Sequence, residues 1–372
     1  MRNVFTIGFS ILLFAVALSA HDNHPHGRTI EFPNLPGYVT LKCDFHQHSV
    51  FSDGDVWPTI RVQEAVKDGL DAMALTEHLE YQPHKADIPH PDRNRAYELA
   101  LKEAKETNLI VINGSEITRR MPPGHSNAIF LQDANKMLIP DSIEVFREAK
   151  RQSAFTFWNH PNWLGQSRTG IASLTDMHKY LLKEKLLDGI EVVNDVTYSD
   201  EALQIALDYN LTMMGSSDIH GLIDWQFDVP SGGHRPVTLV FAKTRTAEGI
   251  KEALFDRRTV VYFNNTLIGR EQFLLPLIQQ CITVHAARYE GKSSVMNVTL
   301  ENTSGVEFIL KNSSEYSLHE NSDVLTLRPF SETTIEVKAG TVVPSVQLLF
   351  DVLNAVTAPK THPSLSLTVS VQ

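Results

Sequence analysis

The sequence predicts an α/β protein: a TIM-like β/α barrel followed by a small all-β domain. Between residues 38 and 265, apolar strand-like runs alternate with helical patterns about seven times, which is typical of parallel β/α architecture. This alternation stops near residue 270. Beyond it, short β-prone runs are separated by Asn, Ser, Gly and Pro, the pattern of an antiparallel sandwich.

The predicted elements of the barrel follow one another along the chain. Continuous apolar runs predict the strands, and apolar positions recurring at helical spacing predict the helices. The strands are expected at residues 38–45, 72–76, 109–113, 126–131, 154–158, 189–193, 212–215, 236–241 and 259–263. The helices are expected at residues 59–69, 93–107, 142–152, 176–185, 200–209 and 246–257.

The domain boundaries follow from these patterns. Residues 38–265 are the predicted barrel, residues 266–290 a linker, and residues 291–372 the sandwich-like domain. β-prone runs in this last part lie at residues 295–300, 306–310, 333–337, 346–352 and 364–371.

The beginning of the chain has the pattern of a secretory signal peptide. Arg2 precedes an apolar stretch that ends near Leu18, and small residues follow up to Ala20. The stretch is shorter than the about 20 apolar residues that a membrane span requires. We therefore expect residues 1–20 to be a signal peptide, residues 21–37 a polar leader, and the protein to be periplasmic or secreted without a stable membrane anchor.

Charge and cysteine content restrict the partners. The net charge is −11, and no basic stripe is present, so we expect no nucleic-acid partner. Bound cations could still attract an anionic substrate locally. Cys43 and Cys281 are the two cysteines, and two buried free thiols are favoured over a disulfide. The sequence leaves the oligomeric state open.

Histidine or a carboxylate follows almost every predicted strand of the barrel. The motifs are H-x-H (His46, His48), D-G (Asp53), T-E-H (His78), G-x-E (Glu116), G-H (His125), N-H-P (His160) and S-D-x-H (Asp218, His220). Each motif alone is weak, since an isolated H-x-H is usually a surface accident. Their joint order is specific, because the C-terminal ends of barrel strands meet at one face.

These nine side chains are predicted to bind metal. Imidazole and carboxylate groups suit Zn, Mn and Fe. Residues two apart on a strand lie on the same face, so each H-x-H or D-x-H pair can share an ion. One ion takes about four ligands, and nine candidates therefore predict two or three divalent ions with a bridging carboxylate.

This order of motifs resembles the PHP superfamily, named for its polymerase and histidinol phosphatase members, over residues 38 to about 265. The resemblance implies a distorted (β/α)7 barrel and a trinuclear centre that hydrolyses phosphate esters. It assigns one ion to His46, His48, Glu116 and Asp218, a second to Glu116, His125 and His160, and a third to Asp53, His78 and His220. One motif departs from the family, because Glu77 stands where T-D-H is usual.

The leader and the β domain make the chain similar to exported PHP phosphodiesterases that act on small organophosphate diesters. The predicted nucleophile is a hydroxide bridging two ions. Glu116, Asp218, His220 and Arg235 are the predicted catalytic residues, with Arg235 clamping the phosphate; an ordinary salt bridge is an equal alternative for Arg235. Two other functions stay open, a phosphomonoesterase and a non-catalytic periplasmic metal-binding protein.

Overall fold

The computed structural model describes residues 30–371, so the predicted signal peptide and the first part of the predicted leader lie outside the described residues. The strands are β1 (Val39–Asp44), β2 (Ala72–Leu75), β3 (Ile110–Thr118), β4 (His125–Ile129), β5 (Phe155–Trp158), β6 (Gly189–Asn194), β7 (Thr197–Tyr198), β8 (Thr212–Ser216), β9 (Val237–Ala242), β10 (Thr259–Phe263), β11 (Thr266–Gly269), β12 (Ile282–Tyr289), β13 (Val295–Asn302), β14 (Phe308–Asn312), β15 (Leu318–His319), β16 (Val324–Leu327), β17 (Ser331–Lys338), β18 (Ser345–Val352), β19 (Ala355–Val356) and β20 (Ser364–Ser370). The α-helices are α1 (Pro58–Lys67), α2 (Arg95–Glu103), α3 (Glu144–Arg151), α4 (Asp176–Lys183), α5 (Asp200–Asp208), α6 (Ile223–Gln226), α7 (Ala247–Phe255) and α8 (Glu271–Cys281).

One curled, mixed sheet of 12 strands forms the N-terminal part of the fold, in the order β19-β11-β10-β9-β1-β2-β3-β4-β5-β6-β7, with β8 paired to β6. Strands β1, β2 and β3 are parallel, as are β5, β6 and β8. The α/β class and the TIM-like curvature of the prediction are confirmed.

The sheet is not parallel throughout, which is one way in which it departs from a regular barrel. Strand β4 runs antiparallel between β3 and β5, and β9 and β10 are also antiparallel to their neighbours. For β3 and β4 the physical reason is connection length, because a parallel neighbour requires a crossover of about a dozen residues or more. Only residues 119–124 separate β3 from β4, so the chain has to return in the opposite direction.

The barrel strands read as continuous apolar runs because both of their faces are covered. Every residue of β2, β5 and β9 is buried. The flanking helices are amphipathic: Val145 and Phe146 of α3 are buried, whereas Arg151 of the same helix is exposed.

The C-terminal part consists of two four-stranded sheets, β12-β13-β17-β15 and β16-β14-β18-β20. Burial alternates along these strands, as along β18, because one face packs on the core and the other meets solvent. Strand β12 pairs with β13 along its length, so this all-β part begins at Ile282 and not at residue 291. The segment 266–290 holds β11, α8 and β12 and is therefore structured throughout.

The two parts share a core and a sheet. Strand β19, from the C-terminal part, pairs with β11 at the edge of the barrel sheet. The Asn354 side chain donates to the carbonyl oxygens of Asn265 and Glu307, which joins both parts. A single cluster of buried apolar residues includes Tyr262 on one side and Phe350 on the other.

Two further observations concern the cysteines and possible membrane-spanning helices. Cys43 and Cys281 are both buried and free, as predicted. Among residues 30–371, no helix is long and apolar enough to cross a membrane.

Candidate metal centre

Two of the predicted motifs lie side by side because the loops after β1 and β8 hydrogen-bond to each other. The backbone N–H of His48 donates to the Ile219 oxygen at 3.0 Å, and that of Asp218 donates to the His46 oxygen at 2.9 Å. The H-x-H and D-x-H motifs therefore meet at the C-terminal end of the strands.

His46, His48 and Asp218 form the first ligand group. The Nε2 atoms of His46 and His48 are 3.1 Å apart, and each lies 3.1 Å from Asp218 Oδ1. The Glu116 carboxylate lies 3.8 Å from His46 Nε2 and 3.6 Å from His48 Nε2. Ligands bonded at about 2.0–2.1 Å to one ion are spaced about 3.0–3.4 Å from one another, so this donor set fits a divalent cation.

Glu116 also belongs to a second group. Its Oε1 lies 2.9 Å from His125 Nδ1 and 3.5 Å from His160 Nε2, and it accepts a hydrogen bond from Asn159 Nδ2 at 3.0 Å. His78 approaches the other oxygen, with Nδ1 at 2.5 Å from Oε2. Because its two oxygens face different imidazoles, Glu116 is placed to bridge ions.

A third group surrounds Asp53, which the loop after β1 carries. His220 Nε2 lies 3.2 Å from Asp53 Oδ1, His78 Nε2 lies 3.4 Å from Oδ2, and His48 Nδ1 lies 3.8 Å from Oδ1. Gly54 makes this loop possible, because a Cβ there would lie 2.8 Å from the His48 backbone. The structure thus brings all nine predicted ligands into one network.

The electrostatics of the network depend on burial and on mutual contact. Burial alone would raise the pKa of Glu116, but the neighbouring imidazoles, His78 first, hold it well below its usual range. Burial would lower the pKa of His78, but Glu116 and Asp53 raise it to about 10. Burial and the nearby His78 lower the pKa of His48 to about 3. The carboxylates thus favour the ionised form that metal binding requires.

Sequence reasoning missed Glu191, a buried carboxylate on β6. Its Oε1 accepts from His46 Nδ1 at 2.8 Å, and its Oε2 accepts from the His160 backbone N–H at 2.7 Å and from Asn194 Nδ2 at 2.8 Å. A carboxylate behind a metal-binding imidazole fixes its orientation and tautomer. The available signal was an acid inside the otherwise apolar run Gly-Ile-Glu-Val-Val.

Glu77 and Arg61 stabilise the loops that carry the predicted ligands through hydrogen bonds. Glu77 accepts from the backbone N–H of Ser49 at 3.1 Å and from the Ser49 and Ser52 hydroxyls, which fixes the turn after His48. The extra methylene relative to the usual Asp is accommodated at this position. The buried Arg61 guanidinium donates to the backbone oxygens of His48 at 2.8 Å and His220 at 2.7 Å.

Arg235, predicted to clamp phosphate, lies elsewhere. It is 1% exposed, and its guanidinium donates to Asp68 Oδ2 at 2.8 Å and to Asp44 Oδ2 at 3.2 Å. Two buried carboxylates already occupy its donors, so the catalytic assignment is corrected to the alternative, a structural ion pair.

A pocket of about 480 Å³ opens over the ligands. Its lining residues are Asp53, His78, Tyr81, Thr118, His125, His160, Trp163, Asn194, Asp195, Asp218, His220 and Gln226. No Lys or Arg belongs to this lining within residues 30–371. Trp163 is the tryptophan that borders the pocket, whereas Trp158 is buried and stacks on His178 with ring centroids 4.0 Å apart.

The curled sheet and the converging side chains define a TIM-like barrel protein with several groups of His, Asp and Glu that could hold a metal ion. A solved structure from Bacteroides vulgatus, a two-domain protein containing a predicted PHP-like metal-dependent phosphoesterase, is 43% identical with a TM-score of 0.86. The alignment covers 92% of this chain and 98% of that one. This chain belongs to the PHP superfamily, as its motif order predicted.

Other comparisons are weaker. A metal-dependent phosphoesterase structure from Bifidobacterium adolescentis is 18% identical, covering 48% of this chain and 87% of its own, with a TM-score of 0.39. An amidohydrolase structure from Chromobacterium violaceum is 16% identical, with the same two coverages and a TM-score of 0.35. An Ig-like domain family matches residues 282–368. No curated protein matches the chain significantly.

Proposed function

We propose that this protein is an exported, metal-dependent phosphodiesterase that hydrolyses small organophosphate diesters. The observation that carries the proposal is the convergence of nine imidazole and carboxylate groups around Glu116, beneath a pocket open to solvent. The 43% identical relative, whose description names a metal-dependent phosphoesterase, supports the same reaction class.

The donor set fits two or three divalent ions, and Mn, Zn and Fe are the candidates that imidazole and carboxylate ligands favour. Bound divalent cations would polarise a phosphoryl oxygen and lower the pKa of a water molecule. His46, His48, Glu116 and Asp218 would hold one of them, and Glu116 would connect this group to His125 and His160. Asp53, His78 and His220 would complete the set.

Within this arrangement, the more exposed ligands mark where substrate enters. The side chains of His220 and Asp53 are 37% and 22% exposed, whereas those of His46 and His48 are fully buried. A phosphate ester therefore approaches from the side of His220, where it also meets the pocket wall.

The pocket favours a diester over a monoester. A monoester carries close to two negative charges at neutral pH and a diester one, so a monoester gains more from a basic clamp. The described lining offers no Lys or Arg, and its rim carries Tyr81 and Trp163, both half exposed. These rings suit the second organic substituent of a diester.

The proposal is tested by metal analysis and an ester panel. The purified protein should contain at least two divalent ions per chain, and chelation should abolish hydrolysis of bis(p-nitrophenyl) phosphate until Mn or Zn is restored. The diester should be cleaved at least about tenfold faster than p-nitrophenyl phosphate.

The matched variants are His220→Ala, in the site, and His285→Ala, on the exposed face of β12. The first should lose activity and metal, and the second neither. A metal-loaded protein that cleaves no ester would favour the metal-binding alternative, and preference for the monoester would favour a phosphomonoesterase.

A further inference from the structure

A second pocket, of about 650 Å³, lies between the barrel and the Ig-like part. The loop between α6 and β9 and the β10–β11 hairpin form one side of it, and Gly305, Glu307 and Pro329 of the C-terminal part form the other. None of the nine predicted metal ligands lines this pocket.

The two pockets share one lining residue. Gln226 lines both, and its Nε2 donates to Asp195 Oδ1 at 2.6 Å. Asp195 and Val196 are consecutive residues of the turn between β6 and β7, yet Asp195 lines the metal pocket and Val196 the interdomain pocket. A molecule held at the metal centre therefore reaches the second pocket by extending over Gln226.

His234 gives the interdomain pocket an unused hydrogen-bonding group. Its ring stacks on Tyr262 with centroids 4.3 Å apart and planes 3° apart, and its Nδ1 donates to the Arg235 backbone oxygen at 2.9 Å. Its Nε2 is buried and has no hydrogen-bond partner among the described residues. Because burial lowers the pKa of His234, the ring is neutral and Nε2 is an acceptor.

An unpaired buried acceptor is unfavourable, so a ligand that donates a hydrogen bond to His234 Nε2 would satisfy this atom on binding. Asp228 and Glu307 also line the pocket, and their carboxylates can accept hydrogen bonds. No Lys or Arg lines it within the described part of the chain, so a second phosphate group is disfavoured. Asn264 also lines the pocket, and its amide can both donate and accept a hydrogen bond.

We propose that the interdomain pocket binds the alcohol portion of the phosphodiester substrate and selects alcohols that carry further hydroxyl groups, such as a polyol or a sugar. This inference rests on the proposed function, because it assigns the phosphate to the metal centre. A hydroxyl group donates to His234 or Glu307 and accepts from Asn264, which a hydrocarbon substituent cannot do. A quaternary ammonium group has no N–H to offer His234 Nε2.

The test gives the metal-loaded enzyme three p-nitrophenyl phosphodiesters as substrates. They differ in the second substituent on the phosphate, which is glyceryl, propyl or choline. We expect kcat/KM for the glyceryl ester to exceed that for the propyl ester by about tenfold or more, since buried polar groups discriminate against analogues that leave them unpaired. In His234→Phe, which keeps the stacking on Tyr262, this ratio should fall about three- to tenfold, mainly through KM.

Glu307→Gln is the second variant. Its ratio of kcat/KM for the glyceryl ester to kcat/KM for the propyl ester should also fall. The control, His285→Phe, is on β12, away from the pocket, and should keep the wild-type ratio. Equal rates for the glyceryl and propyl esters, or a choline ester preferred by both wild type and His234→Phe, would overturn the proposal.

A direct binding measurement separates this inference from the reaction itself. Saturation-transfer NMR should show glycerol, but not propanol, bound to the metal-loaded protein, with a weaker signal in His234→Phe. If no ester is cleaved but this binding persists, the phosphodiesterase proposal fails and the subsite stands. If esters are cleaved with no hydroxyl preference and glycerol does not bind, the subsite fails alone.

Discussion

The barrel buries carboxylates in two neighbouring clusters, and the negative charge of each cluster is compensated in a different way. In one, Arg235 lies between Asp44 and Asp68, so the chain supplies its own cation. In the other, Glu116 and Asp218 lie among imidazoles that approach as close as 2.5 Å, with no Lys or Arg in ion-pair contact within the described residues. A buried carboxylate needs a compensating charge, and in the second cluster the proposed metal ions would supply it.

The largest expected effect comes from neutralising a ligand of the second cluster. Asp218→Asn keeps the size of the side chain but removes the charge that faces His46 and His48. We expect kcat/KM to fall by at least about 10²–10³, together with loss of metal measured by elemental analysis. Asp176→Asn, on an exposed carboxylate, is the control and should change neither. Full activity with full metal content would show that Asp218 is not a ligand.

Removing the cation of the first cluster should affect stability instead. Arg235→Met leaves Asp44 and Asp68 buried without their partner, and breaking such a pair costs about 3–5 kcal/mol. Urea unfolding measures this loss, and Arg95→Met, at an exposed pair, should cost about 0–1 kcal/mol. Normal stability combined with lost activity would return Arg235 to the role of phosphate clamp.

A smaller change tests how the second cluster is oriented. Glu191→Gln weakens the hydrogen bond to His46 Nδ1 without touching a metal ligand directly. Removing such an orienting carboxylate typically weakens metal affinity about 10–100-fold, which titration against a competing chelator measures. Glu184→Gln, on the surface, should retain wild-type affinity. Equal affinity in both variants would mean that Glu191 does not position His46.

The smallest effect concerns Asp188, a partly buried carboxylate outside both clusters, which accepts from the Thr156 backbone N–H at 3.0 Å. Burial raises its pKa from 3.8 to about 6. The folded state thus prefers the protonated acid, and this contribution to stability is present below about pH 4 and lost as the pH rises through 6.

Asp188→Asn removes this titration. The variant should be more stable than wild type at pH 7 by roughly 1–3 kcal/mol, and the two should converge below about pH 4. Urea unfolding between pH 4 and pH 8 tests both statements, and a difference independent of pH would contradict the assignment to Asp188.

The sequence indicated the candidate ligands better than the residues that surround them. The reason is that the candidate ligands lie in short sequence motifs, whereas the contacts of the surrounding residues join distant parts of the chain. Most of the predicted ligands follow an apolar strand within a short motif, as His46 and Asp218 do, so strand order alone places these residues at one face. Arg235 was misassigned because its partners, Asp44 and Asp68, lie far away in the chain. Glu191 carries no motif, since one acid in an apolar strand has no recognisable partner in the sequence.

The same argument applies to the fold. Continuous apolar runs such as β2 and β5 are visible in the sequence because burial on both faces demands them. The two residues of β19 are too few to form a pattern, and their partner β11 lies in another part of the chain. The sequence therefore indicates two domains but not the sheet that joins them.

Strand β19 has a consequence for the order in which the molecule is completed. Ala355 and Val356 are synthesised after every other strand of the barrel sheet, yet they pair with β11, at the outer edge of that sheet. Until they emerge, that edge exposes unpaired backbone groups that can recruit another chain. A polypeptide that lacks β19 is thus exposed to aggregation through its barrel, even though it already contains all nine predicted ligands.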